Sequence, residues 1–417
     1  MMKIKRVLKI TGLLLAGLLL ALLVAPFVFK DRILEEIKKF ANESVNAKID
    51  FRDVDVSFIR SFPEVSVSIL DLQVMGVDTF HEQNLLKAKD LSLDFSLIPL
   101  FNSEAPKSIK YVELNGADID IVVLNDSVAN YLITRPSADT SGVSFALEGY
   151  ELKDCNLTYK DVTMPLYMQL RGVSHKGSGD IANAIYDLNT STSADSLTVD
   201  FDGFTYLKNV KAGLDAIFHI DMDKKLFELK DNTLYINQLK AKGNGSVQLP
   251  DKETMRIQAD IATLGNSFGE LISVFPYLSA YNTVKATGNA AFKASVKGDF
   301  NAAKSIMPAF KITLDIKNGA ARYEGLDVDI HQVNALVDIK SSRPDMKDLE
   351  VNINNASVAV NQEKISGNFK ITDGLTNAHV SGNLKGGISL QNWKRAIPLP
   401  DLEQLQGKIV ADLKFDA

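Results

Sequence analysis

The sequence predicts an all-β chain, mainly antiparallel, with a few short helices and one transmembrane helix at its N-terminus. Three observations predict it. Apolar and polar residues alternate over most of the 417 residues, the period of a strand with one buried face. Pairs of turn-forming residues punctuate the alternation. An uncharged apolar run, Ile10–Phe29, precedes it.

At about 1.5 Å per residue, a helix over that run spans roughly 30 Å, the hydrocarbon thickness of a bilayer. Lys3, Lys5, Arg6 and Lys9 precede it, and Lys30 and Arg32 follow. A cleaved signal peptide would have an apolar stretch of about 7–15 residues and small residues at −3 and −1 of the cut. A cut after Ala25 would instead place Leu23 at −3 and Pro26 at +1. The expectation is an uncleaved anchor, with the basic cluster in the cytoplasm and the bulk of the chain across the membrane. Gly12 and Gly17 do not have GxxxG spacing and read as ordinary membrane glycines. From Asp31 to about Val45 the period is helical, with Ile33, Leu34, Ile37 and Phe40 on one side.

Beyond this entry helix the period becomes two. Val65–Ile69, Leu91–Phe95, Ala117–Ile121, Leu214–Ile220, Phe310–Ile316 and Leu326–Ile330 all alternate. The pairs Asn115-Gly116, Asp202-Gly203, Asn318-Gly319 and Asp373-Gly374, with Gly243-Asn-Gly245, read as turns between strands. Two segments break the pattern. Asn266–Phe275 opens on a helix-cap candidate and stops before Pro276, and a weaker copy, Ser389–Ile397, stops before Pro398. Each leads to a glycine and a strand, Gly288–Val296 and Gly407–Phe415. This spacing reads as an internal repeat. The expected organisation is a cytoplasmic tip and anchor over 1–30, an N-terminal β region over 31–260, and repeated helix-plus-strands units over 261–417. The last unit is cut short, so the chain reads as the N-terminal part of a longer protein.

Composition narrows the function. A formal charge of −6 and the lack of a basic stripe argue against a nucleic-acid partner. Cys155 is the only cysteine; it lies in the strand-like Leu152–Tyr159 and reads as a small buried residue. His81, His175, His219, His331 and His379 are scattered singly, without metal-ligand spacing, and His219 and His331 occupy polar slots. There is no GxSxG, P-loop or GxGxxG. The pairs Asp53/Asp55, Asp118/Asp120, Asp221/Asp223 and Asp327/Asp329 could in geometry serve calcium or glycosidase chemistry. The apolar residues between them make them the wet side of half-buried strands. No catalytic, metal or cofactor site is expected, and no enzyme.

The apolar faces admit two readings. They are the core of one or more β-sandwiches, or they line an open groove suited to acyl chains. Roughly twenty strands at about 4.8 Å would make a continuous sheet of roughly 100 Å.

Four features, in order, resemble the AsmA family: the anchor with its short helix; Phe62–Leu72 running on to Leu85–Phe95 and Leu100; Ile109–Val123 followed by Asn125–Tyr131, similar to the family's Asp-Gly-x-Ala-Asn-aromatic turn; and the helix before Pro276 with Gly288, Val296–Gly298, Pro308 and Asn318–Tyr323. Ser127 departs from the family's glycine. The resemblance covers the first 130 residues and about 260–330, and the middle only in texture. It implies an elongated repeating β-groove, anchored in the inner membrane of a Gram-negative envelope with its body in the periplasm. It implies phospholipid as cargo, a role in outer-membrane biogenesis, and envelope partners reached through a further C-terminal part. Candidate groove residues are Val65, Val67, Ile69, Leu91, Leu93, Phe95, Ile119 and Ile121, with Phe218, Ile220, Ile312 and Leu314. The alternative is a structural or regulatory envelope protein with a closed β core, acting on outer-membrane protein assembly through protein contacts.

Overall fold

The structure, a computed structural model, describes residues 45–57, 64–96, 107–125, 127–133, 143–251, 253–265, 267–275, 284–301, 303–374, 377–397 and 405–417. The apolar run Ile10–Phe29 and the entry helix before Val45 lie outside them. Among the described residues no helix is long and apolar enough to cross a membrane. What is described is mostly β: twenty strands in one open, mainly antiparallel sheet, with few helices.

The chain divides into two compact units. The first holds residues up to Asn183 together with Thr192–Phe204; the second holds Ala184–Ser191 and Thr205–Ala417. In the first, β1 (Lys48–Asp50) and β2 (Asp53–Ser57) both pair with β3 (Val65–Met75). The sheet continues through β4 (Asn84–Phe95) and β5 (Lys107–Asn125) to β7 (Val143–Asp161) and β8 (Leu166–Ser178). The two-residue β6 (Val128–Ala129) folds back on the end of β5. The pair β5–β7 is parallel. A parallel pair needs a return connection of about a dozen residues or more, and residues 126–142 supply that length. β9 (Ile185–Phe201) gives its second half to this unit and its first half to the other.

The first unit has a continuous core. Ala47, Phe51, Val54, Ile69, Leu72, Val74, Ala88, Ala117, Cys155, Val173 and Ala194 form one buried cluster. Small side chains sit opposite one another at its centre: Ala88 faces Ala117, and Cys155 faces Val173. Cys155 is buried as its strand position predicts, and burial pushes its thiol pKa up.

The second unit is a meander in which each strand pairs with the next. It runs β10 (Phe204–Asp221), β11 (Leu226–Ile236), β12 (Leu239–Gln248), β13 (Met255–Thr263), β14 (Val284–Phe300) and β15 (Ala309–Tyr323). It ends β16 (Ile330–Ser341), β17 (Glu350–Val360), β18 (Glu363–Thr372), β19 (His379–Ser389) and β20 (Lys408–Asp416). Two short helices interrupt it, α1 (Phe268–Ile272) and α2 (Leu390–Ala396), where the sequence places helices. Both are capped alike: Ser267 Oγ accepts from the Glu270 N–H, and Ser389 Oγ from the Asn392 N–H. The α1 segment is shorter than expected because its last turn tightens, with Val274 and Phe275 N–H bonding three residues back.

Two sets of expectations are corrected. Asp202-Gly203 forms the turn between β9 and β10, and Asp373-Gly374 follows β18. In contrast Asn115-Gly116, Gly243-Asn-Gly245 and Asn318-Gly319 lie inside β5, β12 and β15. Gly116 and Asn318 have φ of 57° and 51°, and the register between β15 and β16 slips beside Asn318. The left-handed preference that makes such pairs turn formers serves bulges in long strands equally well. At Gly243 the reason is close approach, since a Cβ there would meet the Asp260 carbonyl oxygen at 2.5 Å. Likewise, Leu326–Ile330 is not a strand; only Ile330 opens β16. Val328 is buried beside α2, Asp327 pairs with Arg395 of α2, and Asp329 pairs with Arg322 at 3.1 Å. One side in and two out is achieved there without a ladder.

Candidate functional site

Directly opposed residues of paired strands share a face, so the registers trace the apolar face across the second unit. One row runs Ala294, Ile312, Ile339, Val351, Ile371, Val380. The next runs Phe292, Leu314, Val337, Ile353, Phe369, Gly382, Phe415. The opposite face is polar in the same register: Lys293, Thr313, Asp338, Asn352, Lys370, Ser381, Asp416. Thr313 Oγ1 donates to Asp338 Oδ1 at 2.8 Å along it.

Burial distinguishes these rows from a closed core. Every non-glycine member of the two apolar rows is half-buried and none is fully buried. A second layer packed over them would bury them as a sandwich core does. The layer present is local. Phe268, Leu271 and Ile272 of α1 bury Ala290 and Ala321 and touch Val284, Ala286, Leu314, Ile316 and Val333. At α2, Ala396 and Trp393 pack with Val328, Val360 and Ile330. The helices thus cover the end of the face where β14 and β16 begin, while Ile312, Ile339 and Val351 belong to neither helix cluster.

The twelve candidate residues fall into distinct environments. Ile312 lies between Ala294 and Ile339, and Leu314 between Phe292 and Val337, all half-buried. Phe218 faces Leu229 and is half-buried, whereas Ile220, facing Phe227, is buried. In the first unit Val65 and Ile69 are fully buried, and Ile69 belongs to the core cluster. Val67, Leu91 and Ile119 pack against that cluster. Leu93 faces Val67 and Val112, Phe95 faces Val65 and Ile109, and Ile121 faces Tyr159. In the first unit Ile69, Val67, Leu91 and Ile119 thus lie in or against the core cluster, whereas Leu93, Phe95 and Ile121 are half-buried and outside it, as Ile312 is; Leu314 is half-buried against the α1 cluster.

Several members of that face are missing from the sequence reading: Val337, Ile339, Ile353 and Phe369. The signal was present, as in Val351-Asn-Ile-Asn, but short apolar positions diluted by Asn, Ser and Gly make a weak alternation. The first unit also holds a half-buried histidine. His175 lies opposite Leu152, with Nε2 3.0 Å from Tyr150 Oη and Nδ1 2.8 Å from Thr192 Oγ1. Burial lowers its pKa, so it sits there neutral.

The acidic pairs serve local structure. Asp221 is buried and accepts from the Lys224 N–H at 2.9 Å and Nζ at 2.8 Å. His219 Nδ1 lies 2.7 Å from Asp187 Oδ1 on the polar side, as its slot predicts. Among the described residues no group of three or more His, Cys, Asp or Glu is placed to hold a metal ion. The turn after β5 is held by Asn130, which is buried. Its Nδ2 donates to the Asp120 carbonyl at 2.6 Å and its Oδ1 accepts from the Val122 N–H at 2.9 Å. Ser127 donates its N–H to Asn125 Oδ1 at 3.0 Å. No family model, no curated protein and no solved structure matches the chain.

Proposed function

We propose that this chain is an inner-membrane-anchored lipid-transfer protein that carries phospholipid acyl chains along the apolar face of its sheet, toward the outer membrane. The observation that carries the reading is the pair of half-buried rows through Ile312 and Leu314, continuous across successive strands with a polar row behind them. Such a face offers what an acyl chain lacks in water. About fifteen methylenes at ~0.8 kcal/mol each cost roughly 12 kcal/mol to expose, and a track of Ile, Leu, Val and Phe removes most of that barrier without chemistry. The resemblance to the AsmA family supports the setting: anchor, periplasmic body, phospholipid cargo and outer-membrane biogenesis.

The test is photocrosslinking in the full chain. A benzophenone amino acid at Ile312 is expected to capture phospholipid, read as a lipid-mass adduct, while the same probe at Thr313, one residue on and on the other face, captures little. Equal labelling at both positions, or none at Ile312 in folded protein, sinks the reading. The scaffold alternative has one observation of its own, the closed core of the first unit, and it inherits the function if Ile312 stays unlabelled.

A further inference from the structure

One end of the first unit collects exposed apolar side chains on three adjoining connections. Leu124 stands at the end of β5, Tyr131 and Leu132 on the turn that follows, Val162 and Met164 on the β7–β8 turn, and Phe204 just past the β9–β10 turn, with exposures from 36 % to 66 %. Backbone hydrogen bonds join the three. The Val162 N–H reaches the Val123 carbonyl at 3.1 Å, and the Asp202 N–H reaches the Pro165 carbonyl at 2.9 Å. The chain enters the fold at this same end: the Asn46 N–H donates to the Ile133 carbonyl at 2.6 Å, and Lys48 of β1 faces Met75 at the end of β3.

We propose that these tips form an apolar rim that inserts into the bilayer interface beside the anchor, so that the first unit stands on the membrane rather than swinging from a tether. The inference rests on the anchor reading of Ile10–Phe29 given above. Sixteen residues, 30–45, separate Phe29 from Asn46; as a helix they measure about 24 Å. The sequence gives that stretch an apolar side, the form that lies along a bilayer surface. Single exposed apolar residues are ordinary, but several on neighbouring loops mark an interaction surface. The occupant's chemistry follows from charge. Segments 123–133, 161–165 and 201–204 contain no lysine or arginine and three aspartates, Asp126, Asp161 and Asp202; the carboxylate of Asp161 is turned inward onto the Thr163 N–H and Oγ1 and the Met164 N–H, and no cation is there to favour an anionic surface. Insertion is apolar, and zwitterionic lipid suffices.

The test uses the full chain, reconstituted in phosphatidylcholine vesicles with or without bromine on the upper acyl carbons. Trp393 is the only tryptophan; Trp393→Phe supplies the blank, and Phe204→Trp or Met164→Trp in that background supplies a reporter. Ala182→Trp, at the opposite end of the same unit, is the control. Bromine is expected to quench the two rim reporters about two-fold or more, as for side chains at the headgroup–acyl boundary, and to leave the control unchanged. Carbonate washing is run in parallel. Unquenched rim reporters in protein that resists carbonate overturn the rim while the anchor stands. Release by carbonate overturns the anchor, and the rim falls with it. Quenching of the control as strongly as the rim overturns the assignment of the membrane-facing end.

Discussion

The two units are made of the same alternating strands, yet they bury their apolar faces differently. In the first, residues from β2 through β9 join one buried cluster with Ala117 and Cys155 near its centre, each 1 % exposed. In the second, full burial under the helices is confined to two patches, one at α1 and one at α2, and the rows between β13 and β20 stay half-covered. Alternation therefore determines which side of a sheet is apolar and leaves open what covers it. Cover comes from elsewhere: in the first unit from the small side chains at the cluster's centre with Ala47 and Phe51 from the chain's entry, in the second from helices only one or two turns long.

A buried charge breaks this contrast most sharply. Ala117→Asp puts an unpaired carboxylate into a closed core, and a loss on the order of 4 kcal/mol is expected. Ile339→Asp, on the half-covered face, gives up part of one side chain's burial, about 1 kcal/mol, because its carboxylate can stay in water. Urea unfolding compares the two; similar losses would mean the second unit is as closed as the first. The cap serines sharpen the comparison at a smaller scale. Ser267→Ala and Ser389→Ala each remove one N–H acceptor and are expected to cost about 1 kcal/mol. Hydrogen exchange should show the loss at the patches beneath α1 and α2, with the first unit's core unaffected.

The smallest effect is in pH. Burial holds the His175 pKa below its ordinary value, so as pH falls the unfolded chain takes up the proton before the folded one. Its contribution is complete above about pH 6.5 and is lost as pH drops below that. The first unit alone should lose stability between pH 7.5 and 5.5 by this route, since Tyr150 and Thr192 offer His175 neutral partners. His175→Asn should flatten that slope; an unchanged slope would place the titration elsewhere.

Much of this molecule is legible in its residues. Val65–Ile69, Leu91–Phe95 and Phe310–Ile316 announce strands and their inward sides, and the segments opening at Asn266 and Ser389 announce helices, because each signal is local; in the first the cap is Ser267, one residue on. Asn115-Gly116 and Asn318-Gly319 are ambiguous for a physical reason: a positive φ reverses a chain or bulges it, and only the partner strand decides. Leu326–Ile330 shows that alternation can be met by docking beneath a helix as well as by a ladder. The state of the face at Ile312 is not written locally at all, since it depends on how few residues α1 and α2 lay over it. The candidates of the first unit share their pattern with those of the second, and only packing separates Ile69 from Ile312.

The meander of the second unit has a consequence for how it comes apart. Because β10 through β20, among the described residues, pair with their sequence neighbours, its cohesion is close to a sum of nearest-neighbour terms, as in repeat proteins. Among the described residues the contacts that reach further are those of the short helices, as where Arg395 of α2 pairs with Asp327. Under load or denaturant such a sheet yields ladder by ladder rather than all at once, and a defect in one ladder weakens its neighbours before it is felt further along.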